Sequence, residues 1–276
     1  MIFIGEYNEL KVDRETDFGY YLIDEEKNAV LLPKASLNGQ SIKVSDTINA
    51  FVYRDSQDRP VATLKQPLIE VGKVSYLKIV SNSKIGSFAD MGLERDIFIP
   101  LKEQKFKLIE GKRYLLYAYL DKTGRMAATT YVDSYIETGE GYSVDDEVEF
   151  IAYGKGGEKT IRVAIDGKYS GIILGNEHYK DIYPGDKLKG RVKKIYEDGT
   201  IGITNRKKRL DAREELKEEI IKYLEENGGE MIYNDKSSPE VIKEVFHTSK
   251  NYFKMALGGL MKEGKIEQGS FGTKLK

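Results

Sequence analysis

The chain has 276 residues, with 44 Lys+Arg against 45 Asp+Glu for a net charge of −1, and neither cysteine nor tryptophan. Its length sets an expectation of about two domains, or more if they are small, and its near-neutrality excludes a uniformly basic polynucleotide binder or a polybasic membrane anchor while leaving room for a local basic patch. The lack of cysteine excludes disulfides, cysteine nucleophiles and thiolate metal sites, and His178 and His247 stand too far apart to suggest a metal motif.

In chain order, strands are expected over Glu6–Val12, Phe18–Leu22 and Val30–Lys34, followed by a hairpin over Asp46–Thr63 that turns at Asp58-Arg59. The same series recurs as Ile69–Ile79, Ile85–Ala89, Ile97–Leu101 and a hairpin over Lys112–Thr129 turning at Gly124-Arg125. It recurs again as Glu147–Ala152, Thr160–Ala164, Ile172–Asn176 and a hairpin over Asp186–Ile203 turning at Asp198-Gly199, a strong hairpin signal. The three hairpins align without gaps at offsets of 66 and 74 residues, the signature of an internal repeat. The 19 tyrosines fit many strands with half-exposed faces.

Five strands in about 65 residues bury a core and limit exposed edges most economically by closing into a barrel, and the five-stranded oligonucleotide-binding (OB-fold) barrel is the economical choice. A set of small open sheets is the alternative. From Arg206 the pattern changes. Leu216, Ile220 and Tyr223-Leu224 are at helical spacing, and Asn227-Gly228-Gly229 reads as a stop. Met231–Tyr233 fits a short strand, Ser237-Ser238-Pro239-Glu240 opens a helix to about Phe246, and Thr248 or Ser249 caps a third helix with Phe253, Ala256, Leu257, Leu260 and Met261 as its buried stripe. Gly264–Gly272 reads as a hairpin. Helix, strand, helix, helix, hairpin is the order of a winged helix. The expected architecture is therefore mostly β with a C-terminal α+β domain: barrels over residues 1–65, 66–134 and 142–205, then a winged helix over 209–276.

The charge is unevenly spread. From Lys187 to Arg209 there are nine Lys/Arg and two acids, whereas residues 1–65 hold eight cations and eleven anions. Lys187, Lys189, Arg191 and Lys193 alternate along one strand, so four cations are expected on one face, continuing through Arg206 into Lys207, Lys208 and Arg209. Like charges gathered this way repel, and a phosphate backbone would relieve them. On the winged helix, Lys250 and Lys254 are four residues apart on one helix face, with Lys243 close in sequence.

The run Gly86–Gln104, the tail Asp235–Glu240 with Ser249–Gly258, and the elements Phe18-Gly19 and Leu31-Leu32-Pro33-Lys34 carry a family resemblance. The repeats resemble the RNA-binding domain named after bacterial small-subunit ribosomal protein one (the S-one domain). The whole chain is similar to the conserved virulence factor B family of bacterial RNA-binding proteins, in which three S-one domains precede a winged helix. The resemblance implies single-stranded RNA as partner, a role in bacterial virulence gene expression, and no catalysis. It places stacking rings at Phe18 and Tyr21 and, in the second repeat, at Phe88, with Ile85 where the first ring would stand. Strict alternation would instead pair Phe18 with Tyr20, and a bulge at Gly19 would re-aim Tyr21. Two departures stand out: S-one domains often place histidine where this chain has Pro33 and Pro100, and the third repeat opens on Thr160-Ile161-Arg162 without an aromatic-glycine pair. Lys34 and Arg125 flank the same barrel face as phosphate contacts; Arg162 and Tyr169 are the candidates in the third repeat.

Catalytic readings are weak. Gly154–Thr160 has Glu158 where a phosphate-binding loop needs glycine before the lysine, and a hairpin turn is the better reading. Asp145-Asp146 and Asp211, Glu214 and Glu215 read as surface charge and helix N-terminal acids. No catalytic residue, metal or cofactor is expected. No run approaches the roughly 18 apolar residues of a membrane span, and Met1–Glu6 lacks a signal peptide's basic and apolar regions, so a cytoplasmic protein with no membrane partner is expected. A DNA-binding regulator acting through the winged helix and a scaffold on ribosome or polymerase are the competing readings, with an enzyme last.

Overall fold

The computed structural model describes residues 1–157, 159–178, 181–206 and 209–276, with the backbone alone for 209–212. The first barrel is built from β1 (Glu6–Thr16), β2 (Gly19–Ile23), β3 (Ala29–Pro33), β4 (Thr47–Arg54) and β5 (Pro60–Thr63). The second is β6 (Val74–Asn82), β7 (Gly86–Asp90), β8 (Asp96–Pro100), β9 (Arg113–Leu120) and β10 (Met126–Thr129). The third is β11 (Glu147–Gly157), β12 (Thr160–Ile165), β13 (Tyr169–Leu174), β14 (Lys187–Ile195) and β15 (Ile201–Thr204). Each closes in the order first, second, third, fifth, fourth, with one parallel pairing between its third and fifth strands. This is the OB-fold barrel, and closure leaves no sheet edge.

The repeat is legible in local detail. A bulge interrupts the first strand of every barrel at the same place, between Val12 and Arg14, Ile79 and Ser81, and Ala152 and Gly154. The extra residue bends the strand so that it can pair on both sides of the closing barrel. The last hairpin turns alike in each repeat. Asp55, Asp121 and Asp198 accept backbone N–H bonds from the turn, and Asp58, Gly124 and Gly199 take left-handed φ of 66°, 73° and 80°.

The barrels are stacked. In β4, Ala50 and Val52 fill the first core, while Phe51 and Tyr53 face outward into the core of the second barrel, with Ile69 and Leu108. In β9, Tyr114, Leu116 and Ala118 fill the second core, while Leu115 faces outward against Ile151, Tyr153 and Ala164 of the third barrel. Polar contacts fasten both joints. Tyr53 donates to Glu94 at 2.8 Å, Arg54 to the Gly124 carbonyl at 3.1 Å and Arg125 to Asp58 at 2.8 Å. Tyr76 donates to the Gly185 carbonyl at 2.6 Å across the second joint.

The C-terminal domain is α1 (Arg209–Glu226), β16 (Glu230–Met231), α2 (Pro239–Phe246), α3 (Lys250–Lys262), β17 (Ile266–Gly269) and β18 (Gly272–Leu275), with the sheet ordered β16-β18-β17. Ser238 and Ser249 cap α2 and α3 by accepting the backbone N–H of Val241 and Tyr252. The expected strand over Met231–Tyr233 ends at Met231, which leaves Ile232 in the open. Leu216, Ile220, Leu224, Ile242, Phe246, Phe253, Leu257 and Leu260 form one core. Lys217 crosses α3 over Gly259, where a Cβ would lie 2.5 Å from its Cε, to pair with Glu263 and Glu214.

Candidate nucleic-acid interface

The strand register places Tyr21, Phe88 and Arg162 at equivalent positions, opposite Arg14, Ser81 and Gly154 respectively. The three outer faces differ. On the first barrel, Phe18 is 79% exposed, and its carbonyl accepts the backbone N–H of Lys34 at 3.1 Å. The Arg14 guanidinium lies 4.2 Å from the centre of the Tyr21 ring, while Tyr20 packs into the core. Phe18 precedes the strand, so alternation does not reach it. The bulge that re-aims Tyr21 lies in β1, not at Gly19; Gly19 has a different task, since a Cβ there would meet the Leu32 carbonyl at 2.1 Å. Open ring, stacked guanidinium and lysine are all groups that hold single-stranded nucleic acid. Lys34 has Glu15 at 3.7 Å as a loose counter-ion.

The second barrel repeats the geometry with other chemistry. Leu101 donates to the Ile85 carbonyl at 3.1 Å, as Lys34 does to Phe18, so ring and lysine are replaced by two aliphatic groups, 68% and 56% exposed. Phe88 is half-buried against Phe98, with ring centres 5.1 Å apart. Arg125 is not on this face. It sits in the β9–β10 turn and spans to Asp58 of the first barrel, so it fastens the joint.

On the third barrel part of the same face is covered, while Arg162 stays exposed. Ile151, Tyr153 and Ala164 are buried against Leu115 and Val132 of the second barrel. Arg162 reaches Asp133, which also pairs with Lys105, and burial with the neighbouring Arg162 charge holds the Lys105 ammonium below its usual range. Tyr169 packs edge-on against Tyr142 at 5.7 Å with the Lys168 ammonium 4.9 Å over its ring. Part of the β11–β12 face is thus a barrel joint, while Lys159 and Thr160, which stand where the first repeat has Phe18 and Gly19, lie outside it.

The basic stripe on β14 is exposed but not a row of unpaired cations, which corrects the expectation of mutual repulsion. Lys187 pairs with Glu149 at 2.8 Å, Arg191 with Asp145 and Lys193 with Glu177. Across the ladder, Lys189 and Arg191 stand directly opposite Glu149 and Glu147. A bulge between Val192 and Lys194 breaks the alternation at Lys193. Among the described residues, Lys189 alone of the four has no ion pair. Burial pushes the Glu177 carboxyl up, but hydrogen bonds from Lys193 and Thr204 outweigh it and hold the group below its usual range. Arg206 lines a cleft of about 680 Å³ with Lys189, Arg191, Glu147, Glu149 and Glu215, so opposite charges alternate there. Lys207 and Lys208, and the Arg209 side chain, lie outside the described residues.

The winged helix keeps a basic recess of about 620 Å³, lined by Lys236, Lys250, Asn251, Lys254 and one acid, Asp235. The Lys250 ammonium donates to the Lys236 carbonyl at 3.4 Å, and Lys254 is 3.9 Å from Asp235, the edge of ion-pair range. Lys243 is exposed on α2, outside the recess. Lys236 was not among the sequence candidates. It lies in the Asp235–Glu240 run, which carries part of the family resemblance and, from Ser237 on, the helix start. In the hairpin β11–β12 the Gly154–Thr160 segment runs strand to strand, with Glu158 outside the described residues. Among the described residues no group of three or more His, Asp or Glu converges as a metal site, and no helix is long and apolar enough to cross a membrane.

Residues 4–65 match the model of the S1 domain, and residues 218–275 that of the CvfB-like winged helix domain. The chain is 30% identical over 274 residues to an uncharacterized Bacillus subtilis protein, YitL, covering 96% of this chain and 91% of that one. It is 30% identical over 259 residues to conserved virulence factor B of a Staphylococcus epidermidis strain, covering 82% of this chain and 83% of the relative. Among solved structures, a multidomain Streptococcus pneumoniae protein with nucleic acid binding domains superposes with a TM-score of 0.55 at 27% identity, over 99% of this chain and 98% of that one.

Proposed function

The chain belongs to the conserved virulence factor B family, and we propose that it binds single-stranded RNA through the winged helix and the third barrel and thereby regulates bacterial gene expression, including that of virulence factors. The observation that carries this reading is the winged-helix recess, where Lys236, Lys250 and Lys254 converge against a single carboxylate. Such a site takes a phosphate chain from solvent with little desolvation cost, because its cations are exposed and loosely held. Lys189 and Lys187 offer further phosphate contacts on the third barrel; an exposed surface ion pair is weak, so Lys187 can exchange Glu149 for a phosphate. Phe18 and the Arg14–Tyr21 pair supply base stacking on the first barrel. The second barrel, with aliphatic groups in place of ring and lysine, contributes least.

The test is fluorescence anisotropy of the whole chain with an unstructured RNA, the same sequence as single-stranded DNA, and duplex DNA. Tightest binding to the RNA, weakening with salt, is expected. Preference for the duplex would support the second reading, DNA binding by α3, which the lysines at the head of that helix favour.

A further inference from the structure

The hairpin of the winged helix ends in a feature that neither the fold nor the phosphate track uses. Phe271, at the tip of the β17–β18 wing, is 94% exposed. Its neighbour Gly272 has φ of 151°, and a Cβ there would lie 2.0 Å from the Met231 carbonyl oxygen. The wing is therefore pressed against β16 by a residue that only glycine satisfies, while the ring beside it points away. Ile232, the residue after β16, is 76% exposed on the adjoining segment. A ring left this open contributes nothing to the domain's core.

The same tip is tied to the basic recess. The Asn234 amide donates to the Gly269 carbonyl of the wing at 3.4 Å, and its side-chain oxygen accepts the backbone N–H of Lys236 at 2.9 Å. Lys236 in turn accepts from Lys250. One short hydrogen-bonded path thus joins the wing at Gly269, two residues before Phe271, to the three-lysine recess. Bases offer a π-face whatever their identity, and phosphates need cations, so an aromatic beside clustered lysines fits a nucleotide in single-stranded form. A duplex keeps its bases stacked on one another and offers the ring no free face.

We infer that Phe271 is a base-stacking residue: one unpaired RNA base lies on the Phe271 ring while the adjoining phosphates occupy the recess of Lys236, Lys250 and Lys254. This rests on the proposed RNA binding and assigns the wing tip its part in it. The lysines fix the strand's position without reading sequence, and the ring holds whichever base arrives.

The chain has no tryptophan, so Phe271→Trp places a single indole at the wing tip whose emission can be excited apart from the tyrosines. Full-length Phe271→Trp is titrated with a fluorescein-labelled and an unlabelled oligouridylate, following anisotropy and indole emission together. Retained affinity with indole quenching that saturates in step with anisotropy is expected, and Phe271→Ala and Phe271→Leu should each weaken binding roughly tenfold, because stacking needs a ring and not merely an apolar group. RNA binding with unchanged indole emission and unchanged affinity of Phe271→Ala would overturn the inference and leave the RNA-binding reading standing. Absence of RNA binding by the unaltered chain would overturn both. The ring's exposure makes loss of folding in these variants a minor concern, and thermal unfolding of each variant checks it.

Discussion

The Arg162 guanidinium of the third barrel is paired with the Asp133 carboxylate of the segment that leaves the second barrel, at the position where the first barrel carries Tyr21. One repeat therefore carries a ring at this position, and another an exposed arginine that pairs across a joint. The difference concerns this face alone, since β14 of the third barrel keeps Lys187 and Lys189 exposed. Phe18 and Tyr21 stand on an open face, whereas Ile151, Tyr153 and Ala164 lie under the second barrel.

Replacing Arg162 by alanine is accordingly expected to leave RNA affinity unchanged. The pair is partly exposed and Asp133 keeps Lys105 as a partner, so stability should fall by only about 0–1 kcal/mol. A tenfold loss of RNA affinity in Arg162→Ala would instead place that guanidinium in the interface.

Phe18→Ala removes a ring that is 79% exposed. Thermal unfolding should be unaltered, and RNA binding should weaken by about 1–3 kcal/mol if a base stacks there. The matched Ile85→Ala in the second barrel should change binding little. Equal losses in the two variants would contradict the assignment of the first barrel's face.

Lys189→Ala and Lys193→Ala separate binding from structure on one strand. Lys189 has no ion pair among the described residues, so its removal should weaken RNA binding without affecting stability. The Lys193 partner Glu177 has a side chain only 7% exposed. Losing Lys193 leaves a buried carboxylate short of a partner, at a cost of about 1–3 kcal/mol. With its lysine gone, Glu177 keeps the Thr204 hydrogen bond and the Arg206 charge but loses the largest influence lowering its pKa, so Lys193→Ala should lose less stability than the parent as pH falls through the carboxylate range. An identical urea midpoint for Lys193→Ala and parent would show that the pair is not structural.

Acid should loosen the joint between the first two barrels. Burial pushes the Glu94 carboxyl up, but the hydrogen bonds from Lys65 and Tyr53 prevail and hold it below its ordinary value of 4.5. A depressed carboxylate contributes stability that is present above the ordinary value and is lost as pH falls through the depressed one. Glu94→Gln should therefore flatten part of the stability loss below about pH 4.5, read from urea midpoints across pH. An acid limb identical to the parent's would remove Glu94 from the joint's pH response.

Much of the fold was legible because its signals are local. The Asp-rich turns at Asp58, Gly124 and Asp198, the spacing of the hairpins, and the caps at Ser238 and Ser249 each act within a few residues. The stacking of barrels had a signal too: Ala50-Phe51-Val52-Tyr53 is apolar without alternation, as a strand buried on both faces must be. The candidate site was harder to read because its charges are decided by partners far away in sequence. Asp145 reaches Arg191, Glu177 reaches Lys193 and Asp133 reaches Arg162 only after the barrels close and stack. A strand of alternating cations looks the same in sequence whether or not carboxylates arrive from its neighbour.

The most direct test is the salt dependence of RNA binding in the whole chain and in the triple variant Lys236→Ala/Lys250→Ala/Lys254→Ala. Each lysine that meets a phosphate of a single strand contributes about 0.7 to the slope of log affinity against log salt, so the triple variant should bind the RNA more weakly and with a slope shallower by about 2. An unchanged affinity and an unchanged slope would contradict the placing of the phosphate grip on the winged helix.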